Sequence, residues 1–353
     1  MKHGLLAALC ILLAMPVLAN HGVILLYHHV DDSTPVSTSI SPAQFKDQLD
    51  YIEKNGFVVV PLLELLKGVY EGGEGVAEAV AITFDDAYVS VYHTAFPELS
   101  ARGMPFTVFV ATQAVERGHE ATMSWQQLRE LKASGLASFG AHSQTHEHLL
   151  RGSENGITEA WIERASVEID GSIADLTREL GLDRVQTFAY PYGEYSPGLE
   201  ELVAGRDLYG LAQLSGAVAE GTPATAIPRF PMSRNQGSLE RLAMALDTRP
   251  LPVTQVDAAP ALINGSGAAP KAFSFSLSAD PAYHRDRLAC FSASGEPLTL
   301  AGQGDRFTVS LPALHPGRNK VNCTAPSAER AGEFFWHSQQ WVLADAAGSW
   351  LAR

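Results

Sequence analysis

The stretch Ala81–Val110 constrains the fold most, because an apolar run there ends in two adjacent carboxylates. Its sequence is AITFDDAYVSVYHTAFPELSARGMPFTVFV. The run before Asp85 and Asp86 is typical of a buried strand, a helical segment follows, and Phe106–Val110 is a second strand-like run. The stretch therefore predicts a β-α-β unit with acids at the end of its first strand. In α/β barrels, this is the end of the strands where catalytic groups collect.

Asp85 and Asp86 can do different work, because successive side chains on a strand point in different directions. One carboxylate can bind a metal ion while the other stays free to act as a base. The alternative is a solvated turn that caps the next helix, which is the commoner setting of an isolated Asp-Asp pair.

Two later motifs favour the catalytic interpretation. The segment FGAHSQTH places His142 and His146 four residues apart, which would put both on one face of a helical turn. Two imidazoles and one carboxylate are the ligands of a catalytic zinc site that keeps one position open. Further on, FAYPYG closes another short strand with a rigid turn at Tyr192.

Helices and strands alternate over most of the chain, which predicts a parallel sheet with right-handed crossovers. The count of about seven units predicts a deformed (β/α) barrel. We expect further strands at Val23–Tyr27, Phe57–Val60, Ala137–Gly140, Thr187–Tyr190 and Leu208–Leu214. We expect helices at Ser41–Glu53, Pro61–Val69, Ile157–Leu180 and Gly198–Ala204, and one that begins after Ser124. In the longest helix, the predicted core face is Ile162, Ala165, Ile169, Ile173, Leu176 and Leu180.

The composition changes near Leu251, where Pro, Gly, Ser and Asn become frequent. We interpret residues 251–270 as a linker and residues 271–353 as a small all-β, sandwich-like accessory domain, because Phe273–Leu277 and Phe307–Leu311 alternate apolar and polar residues. Three tryptophans in this region, Trp336, Trp341 and Trp350, suit either core packing, which we favour, or a sugar-stacking surface.

The N-terminal segment reads as a secretory signal peptide over residues 1–19, with Lys2 ahead of an apolar core and a small-residue cleavage site at Val17–Ala19. An uncleaved anchor is the alternative. We expect a periplasmic or extracellular protein with no transmembrane anchor in the mature chain. Cleavage would remove Cys10 and leave Cys290 and Cys323, an even pair that suggests one disulfide; two buried thiols are the alternative. The formal net charge of −14 argues against nucleic acid as a partner.

TFDD, HSQTH and FAYPYG, in this order, resemble the motifs of the polysaccharide deacetylases, the NodB-homology or family 4 carbohydrate esterases. The start ILLYHHV resembles the branch that includes secreted poly-β-1,6-N-acetylglucosamine deacetylases, in which the last family motif stands at the N-terminus. The resemblance covers Val23–Met244 and implies a NodB-type barrel over residues 20–250. It also implies a divalent metal, with zinc preferred and cobalt, nickel or iron as alternatives.

The resemblance assigns roles residue by residue. Asp86, His142 and His146 are the implied metal ligands, Asp85 the general base and His28 the general acid. A backbone N–H near Tyr192 would help to bind the oxyanion. Many family members carry an Arg where this chain has Ala189. We expect Arg229, rather than Arg234, to replace it beside Asp85.

The expected function is that of a secreted, metal-dependent deacetylase that hydrolyses N-acetyl groups, or alternatively O-acetyl groups, of an acetylated polysaccharide or oligosaccharide. Two alternatives stay open: a hydrolase of small amides on the same scaffold, and a catalytically impaired glycan-binding protein. The sequence has no G-x-S-x-G motif and no suitable thiol, so covalent esterase chemistry is disfavoured.

Overall fold

The computed structural model describes residues 21–72, 79–258, 261–264, 269–279 and 282–345. The expected signal peptide with Cys10, and Trp350, lie outside these ranges. Among the described residues, no helix combines the length and the apolar composition needed to span a membrane.

The N-terminal part of the chain alternates strands and helices. Its strands are β1 (His21–Tyr27), β2 (His29–Val30), β3 (Ser39–Ile40), β4 (Ala79–Phe84), β5 (Phe106–Val110), β6 (Ala137–Ala141), β7 (Thr187–Ala189), β8 (Tyr209–Leu211), β9 (Val218–Ala219) and β10 (Phe230–Pro231). Its helices are α1 (Pro42–Lys54), α2 (Leu62–Lys67), α3 (Phe96–Ala101), α4 (Thr112–Glu116), α5 (Trp125–Ala133), α6 (Glu159–Leu180), α7 (Pro197–Ala204) and α8 (Leu239–Leu246). Most predicted elements are therefore confirmed to within a few residues.

Seven strands form one curved parallel sheet in the order β10-β1-β4-β5-β6-β7-β8, and β9 pairs antiparallel with β1. A single parallel bridge between Leu211 and Ile227 connects β8 to the segment before β10. The sheet is thus a half-barrel that curls towards closure, and the α/β class is confirmed. Because the strands are parallel, their carboxyl ends meet at one edge.

Helix α6 covers the sheet with one apolar face, as its pattern predicts, with a difference at its N-terminal end. Ala165, Ile169, Leu176 and Leu180 are buried, but Ile162 is 38% exposed. Trp161 takes the inward position instead, where its indole N–H donates to the carbonyl of Leu149 at 2.8 Å.

The predicted strand Phe57–Val60 is present only as a single bridge residue, with a backbone hydrogen bond to Val80 of β4 on each side. Only Val59 forms a bridge, with Val80 of β4, and Val58 is 60% exposed. Gly56 adopts a positive φ of 76° before the segment, and Pro61 follows it. The segment therefore pairs with the sheet over a short length only, between the turn at Gly56 and Pro61.

The C-terminal β region begins where the half-barrel ends. Its strands are β11 (Arg249–Pro250), β12 (Val253–Asp257), β13 (Leu262–Ile263), β14 (Ala272–Leu277), β15 (Ala289–Ser292), β16 (Pro297–Leu298), β17 (Leu300–Gln303), β18 (Arg306–Ser310), β19 (Gly317–Pro326) and β20 (Phe334–Leu343). One sheet has the order β12-β14-β18-β17, the other has the order β11-β20-β19-β15-β16, and β13 joins β20. Both sheets contribute to one apolar core.

Three expectations for this region have a clear outcome. The disulfide Cys290–Cys323 is present, between facing residues of β15 and β19. Trp341 is fully buried against Phe273, so it belongs to the core. The segment 251–270 is not a plain linker: β12 and β13 lie within it and pair with β14 and β20. The many Pro and Gly residues of this segment favoured a linker, although it also contains the short alternating run that forms β12.

The C-terminal β region packs on the half-barrel through specific contacts. Gln340 of β20 donates from Nε2 to the carbonyl of Gly193 at 2.8 Å, and the hydroxyl of Ser338 donates to the carbonyl of Ser215 at 2.6 Å. The Trp336 and Phe230 rings meet edge to face at 5.6 Å. The Gln340 contact reaches the loop that contains Tyr192.

Candidate active site

Asp85 and Asp86 follow directly after β4, at the carboxyl edge of the sheet. Asp85 is completely buried, and its backbone N–H donates to the carbonyl of Tyr27 in β1 at 2.9 Å. Asp86 adopts a positive φ of 71°, which turns the chain sharply after the strand. The two carboxylates consequently have different partners, Arg229 for Asp85 and two histidines for Asp86.

Arg229 binds the Asp85 carboxylate with both terminal nitrogens, at 2.7 Å and 2.8 Å. Its Nε donates to the carbonyl of Ala212 at 3.0 Å, and its guanidinium lies 5.3 Å from the centre of the Phe109 ring. Both partners are fully buried. Burial alone would raise the pKa of Asp85, but the charges of Arg229, His142 and His28, together with the hydrogen bonds from Arg229, outweigh burial and hold that pKa below its usual value. Asp85 is therefore ionised and fixed in orientation at neutral pH.

Asp86, His142 and His146 form a group of three potential metal ligands. One donor atom from each lies within 4.8 Å of the others, and Asp86 Oδ1 is 3.4 Å from His142 Nε2 and 3.2 Å from His146 Nε2. The structure thus brings the sequence-predicted ligands together at one point. One carboxylate and two imidazoles are a donor set suited to a divalent transition metal.

The hydrogen bonding of His142 leaves one ring nitrogen for a metal. Its Nδ1 lies 2.7 Å from the carbonyl of Ala189, an acceptor, so Nδ1 carries the proton and Nε2 has the lone pair. His142 Nε2 is buried and has no hydrogen-bond partner among the described residues. A buried nitrogen lone pair beside a carboxylate is a donor arrangement that suits a cation. The residues present therefore fit the implied metal.

The charges at this group also favour a cation. Burial alone would raise the pKa of Asp86, but its interactions with His142 and His146 outweigh burial and lower it. Burial lowers the pKa of His146 to about 4, so this imidazole is neutral near pH 7. Burial also acts to lower the pKa of His142, but Asp86 and Asp85 outweigh it and raise that pKa. Metal binding would require the neutral form of both imidazoles.

The segment between the two histidines is a tight loop, and the predicted helical turn is wrong. Ser143 and His146 have positive φ angles of 60° and 58°, which no helix contains. Glu168 of α6 holds the loop: its carboxylate accepts from the backbone N–H groups of Gln144 at 3.1 Å and Thr145 at 2.9 Å, and from the Thr145 hydroxyl at 2.9 Å. The sequence reasoning missed Glu168, although an acid on the buried face of a long helix was a signal.

The Tyr192 loop lies on the other side of the histidines. Tyr192 has a φ of 58°, and its ring stacks on His148 at 4.0 Å and lies 4.6 Å from His146. His148 in turn contacts Glu194 through Nδ1 at 2.9 Å. Tyr192 therefore lies beside the metal-ligand group, and the oxyanion contact of a backbone N–H near it stays a prediction.

His28 follows β1 at the same edge of the sheet. Burial lowers the pKa of His28, although the charges of Asp86 and Asp85 oppose this effect. His28 is therefore close enough to both carboxylates for their charges to act on it. The next residue, His29, has a packing role: it is buried and its ring stacks on Tyr88 at 3.5 Å. Arg234 lies apart, where it contacts Asp31 and Asp32.

Backbone strain is concentrated at this site. The described non-glycine residues with positive φ are Asp86, Ala87, Ser143, His146, Tyr192 and Asp207. All but Asp207 lie in the three loops that carry the candidate site. Such conformations cost of order 1 kcal/mol or more each and persist where surrounding contacts enforce them. Their clustering marks these loops as a functional site.

A comparison of the sequence with protein-family models matches the part of the chain that carries most of the candidate active site. Residues 72–207 match the family model described as polysaccharide deacetylase. The match includes Asp85, Asp86, His142, His146 and Tyr192. His28 and Arg229 lie outside it, just after β1 and just before β10, the two strands that come before β4 in the sheet order.

Curated relatives share about a quarter of the aligned residues. The poly-beta-1,6-N-acetyl-D-glucosamine N-deacetylase of Escherichia coli (strain K12) is 25% identical over 267 residues, which cover 65% of this chain and 39% of that protein. The protein of the same name from Staphylococcus aureus (strain MRSA252) is 27% identical over 199 residues, 55% of this chain and 68% of that protein. The chain thus spans well under half the length of the Escherichia coli relative.

Solved structures have the same half-barrel fold. IcaB from Ammonifex degensii superposes with a TM-score of 0.55 and 27% identity, and the match covers 64% of this chain and 97% of that one. The Streptococcus pyogenes deacetylase PplD, solved in complex with acetate, superposes with a TM-score of 0.57 and 23% identity over 65% of this chain and 99% of that one. Both likenesses leave about a third of this chain unmatched.

Proposed function

Because the chain belongs to the polysaccharide deacetylase family, we propose that it hydrolyses N-acetyl groups of an amino-sugar polymer of the poly-N-acetylglucosamine type. One observation carries the proposal: the Asp86, His142 and His146 donor group lies beside an ionised Asp85 that Arg229 holds in place. The names of the curated relatives support a β-1,6-linked N-acetylglucosamine polymer as the substrate class.

The proposed chemistry begins with the metal ligands. Asp86, His142 and His146 would hold a divalent metal, with zinc preferred over cobalt, nickel or iron, which would supply Lewis-acid activation of a water molecule and of the amide carbonyl. The Ala189 carbonyl fixes the ring orientation of His142, and Glu168 fixes the loop to His146. These contacts set the positions of both imidazoles before any ligand arrives.

Three further residues would move protons and orient the substrate. Asp85 accepts the proton of the attacking water, since its carboxylate is ionised and held by Arg229. The backbone N–H near Tyr192 stabilises the oxyanion. His28 protonates the leaving amine; because its pKa is lowered, it acts as an acid only after it has taken up a proton.

The proposal extends to the cellular location of the protein and to the roles of its two regions. The N-terminal segment, residues 1–19, supports export to the periplasm or the exterior, and the Cys290–Cys323 disulfide suits an oxidising compartment. We assign catalysis to residues 20–250 and an accessory role to the β-rich part, residues 271–353.

The Arg229–Asp85 pair supports the enzyme over the glycan-binding alternative, because Arg229, from the segment just before β10, makes the contact that Ala189 cannot make. The test is acetate release from β-1,6- and β-1,4-linked N-acetylglucosamine oligomers, by protein stripped with a chelator and then given zinc or cobalt. Release that needs both the metal and Asp85, with Asp85→Asn inactive, is the expected result. No release from any oligomer by metal-loaded protein would overturn the proposal.

A further inference from the structure

A cleft with a volume of about 580 Å³ lies between the half-barrel and the C-terminal β region. We call it the interface cleft. Ser215 and Arg241 line it from the half-barrel, and Arg318, Lys320, Asn322 and Trp336 line it from the C-terminal β region. Both parts of the chain are therefore needed to form it, and none of the residues discussed for catalysis lines it.

The interface cleft opens on the same edge of the sheet as the candidate active site. Ser215 follows the carboxyl end of β8, and Pro231, which also lines the cleft, ends β10. Gln213 connects the two places. Arg318 donates to its side-chain oxygen at 2.9 Å and Lys320 donates to its backbone carbonyl.

Gln213 also packs against the Tyr192 loop. A side chain on Gly193 would come within 2.5 Å of the Gln213 Cβ atom, and Gly193 has a φ of 67°. Only glycine suits this position, where the two loops meet without a gap. The interface cleft therefore lies next to the Tyr192 loop, and Gln213 contacts both.

The charge of the interface cleft is one-sided. Arg241, Arg318 and Lys320 line it, and none of its described lining residues is acidic, although the whole chain has a formal net charge of −14. None of the three cations forms an ion pair with a described residue. Arg241 Nε is buried and has no hydrogen-bond partner in the described part of the chain.

Positive charges that lie close together in one cleft repel each other. Burial and the charge of Arg318 lower the pKa of Lys320 to about 7. The Arg318 side chain is exposed, and Glu194 is close enough for its charge to act on it. A bound anion would relieve this repulsion.

The uncharged residues that line the interface cleft have the properties of a sugar-binding surface. Trp336 is half-buried, and its indole N–H is already used by the Ser338 hydroxyl at 2.9 Å, so the ring contributes mainly apolar surface to the cleft. Phe291 and Phe334 add further apolar surface, while Asn322 and Thr324 offer hydrogen-bonding groups. Apolar ring surface beside a few polar groups matches the two kinds of surface of a pyranose.

We propose that the interface cleft binds an anionic sugar unit, one that bears a carboxylate or a phosphate, in a glycan whose N-acetylated amino-sugar units the active site contacts. The substrate would then be an N-acetylglucosamine polymer that also carries anionic units or substituents. The anion preference rests on the cleft alone. The statement that the glycan is also the substrate rests on the proposed deacetylase function. A deacetylated, cationic glucosamine unit would be repelled here, so the cleft discriminates against the product.

The test is calorimetric titration of the full chain with four ligands. These are a hexuronic acid oligosaccharide, a hexosamine phosphate, inorganic phosphate and a neutral N-acetylglucosamine oligomer. We expect one or both anionic sugars to bind at least tenfold more tightly than the neutral oligomer and than inorganic phosphate. Comparison of the two anionic sugars identifies the carboxylate or the phosphate as the recognised group.

Two variants locate the binding. Arg241→Gln removes a charge that makes no ion pair, and Lys320→Gln removes a second one; Lys271→Gln removes an exposed charge elsewhere in the C-terminal β region and is the matched control. Each cleft variant should weaken anionic-sugar binding roughly tenfold, since a hydrogen bond to a charged group is worth about 1.5 kcal/mol or more. The control should bind like the unchanged protein.

The outcomes separate this proposal from the deacetylase proposal. Equal affinity for neutral and anionic oligomers, or unchanged binding by both cleft variants, overturns the cleft proposal even if acetate release is observed. Inorganic phosphate that binds as tightly as the sugars overturns the assignment of a sugar. Anionic-sugar binding that both cleft variants lose supports the cleft even if no acetate is released.

Discussion

The guanidinium of Arg229 and the carboxylate of Asp85 form a fully buried, two-pronged ion pair across 144 positions of sequence. The pair joins the end of β4 to the segment just before β10, two strands that both neighbour β1. Arg229 also holds the Ala212 carbonyl after β8. One side chain therefore orients the proposed base and ties both ends of the curved sheet together.

Replacing Arg229 should damage both stability and catalysis. Arg229→Met leaves Asp85 buried without its cation, which should cost about 3 to 5 kcal/mol of unfolding free energy. Arg229→Lys keeps a charge but loses the two-pronged geometry, so we expect a smaller loss of stability and a fall in kcat of roughly tenfold to a hundredfold. Denaturant titration and acetate release measure the two effects.

The matched control is Arg234→Lys, because Arg234 contacts Asp31 and Asp32 away from the metal-ligand group. Combining Arg229→Lys with Asp85→Asn gives a sharper test. If Arg229 acts through Asp85, the double variant should have nearly the kcat of Asp85→Asn alone. Independent, multiplying losses would contradict a positioning role for Arg229.

Metal removal should be visible in stability as well as in activity. Adding zinc to chelator-treated protein, at about a hundredfold above its dissociation constant, should contribute roughly 2.7 kcal/mol and raise Tm by several degrees. His142→Ala and Asp86→Asn should abolish this shift. His119→Asn, which changes an exposed histidine, should retain it. A zinc shift that survives in both ligand variants would place the metal elsewhere.

Local sequence patterns predicted the strands well, because a short, continuous run of apolar residues is typical of a strand that is buried on both faces of a parallel sheet. The same patterns failed between His142 and His146, where a spacing of four residues suggested a helical turn. The loop there is imposed by Glu168, which is more than twenty residues away and bonds its backbone N–H groups. Local spacing cannot predict a conformation that a distant carboxylate enforces.

The choice between Arg229 and Arg234 shows the same limit. Both arginines lie in one short segment, and neither has a local pattern that distinguishes it. Only the register of β10 against β1 points Arg229 at Asp85 and leaves Arg234 outside. The interface cleft could not be predicted from the sequence either, because residues from α8 and β19, which are far apart in the chain, line it together.

The contact between Gln340 and Gly193 should make the C-terminal β region necessary for full activity. Gln340 is fully buried and supports the Tyr192 loop through the Gly193 carbonyl at 2.8 Å. Gln340→Leu leaves that carbonyl unsatisfied, at a cost of about 1 to 3 kcal/mol in the loop conformation. We expect kcat to fall roughly tenfold while KM changes little. The neighbouring Gln339→Leu is the control, and an equal loss in both variants would refute the specific contact.

His337 should make the C-terminal β region sensitive to acid. Its Nε2 is buried without a hydrogen-bond partner in the described part of the chain, and burial lowers its pKa from 6.5 to about 4. The unfolded chain therefore binds a proton at a higher pH than the folded chain does. The stability that neutral His337 contributes is complete above about pH 6.5 and is lost as the pH falls towards 4.

Since the side chain is partly exposed, we expect this loss to be roughly 1 to 2 kcal/mol. His337→Phe, which suits the neighbouring Phe275 ring at 5.9 Å, should remove that part of the pH dependence. The exposed His315→Phe should keep it. Unfolding free energies of the three proteins at pH 7 and pH 4.5 provide the comparison. If the difference between the two pH values is the same for His337→Phe and the unchanged protein, His337 is not the acid-sensitive group.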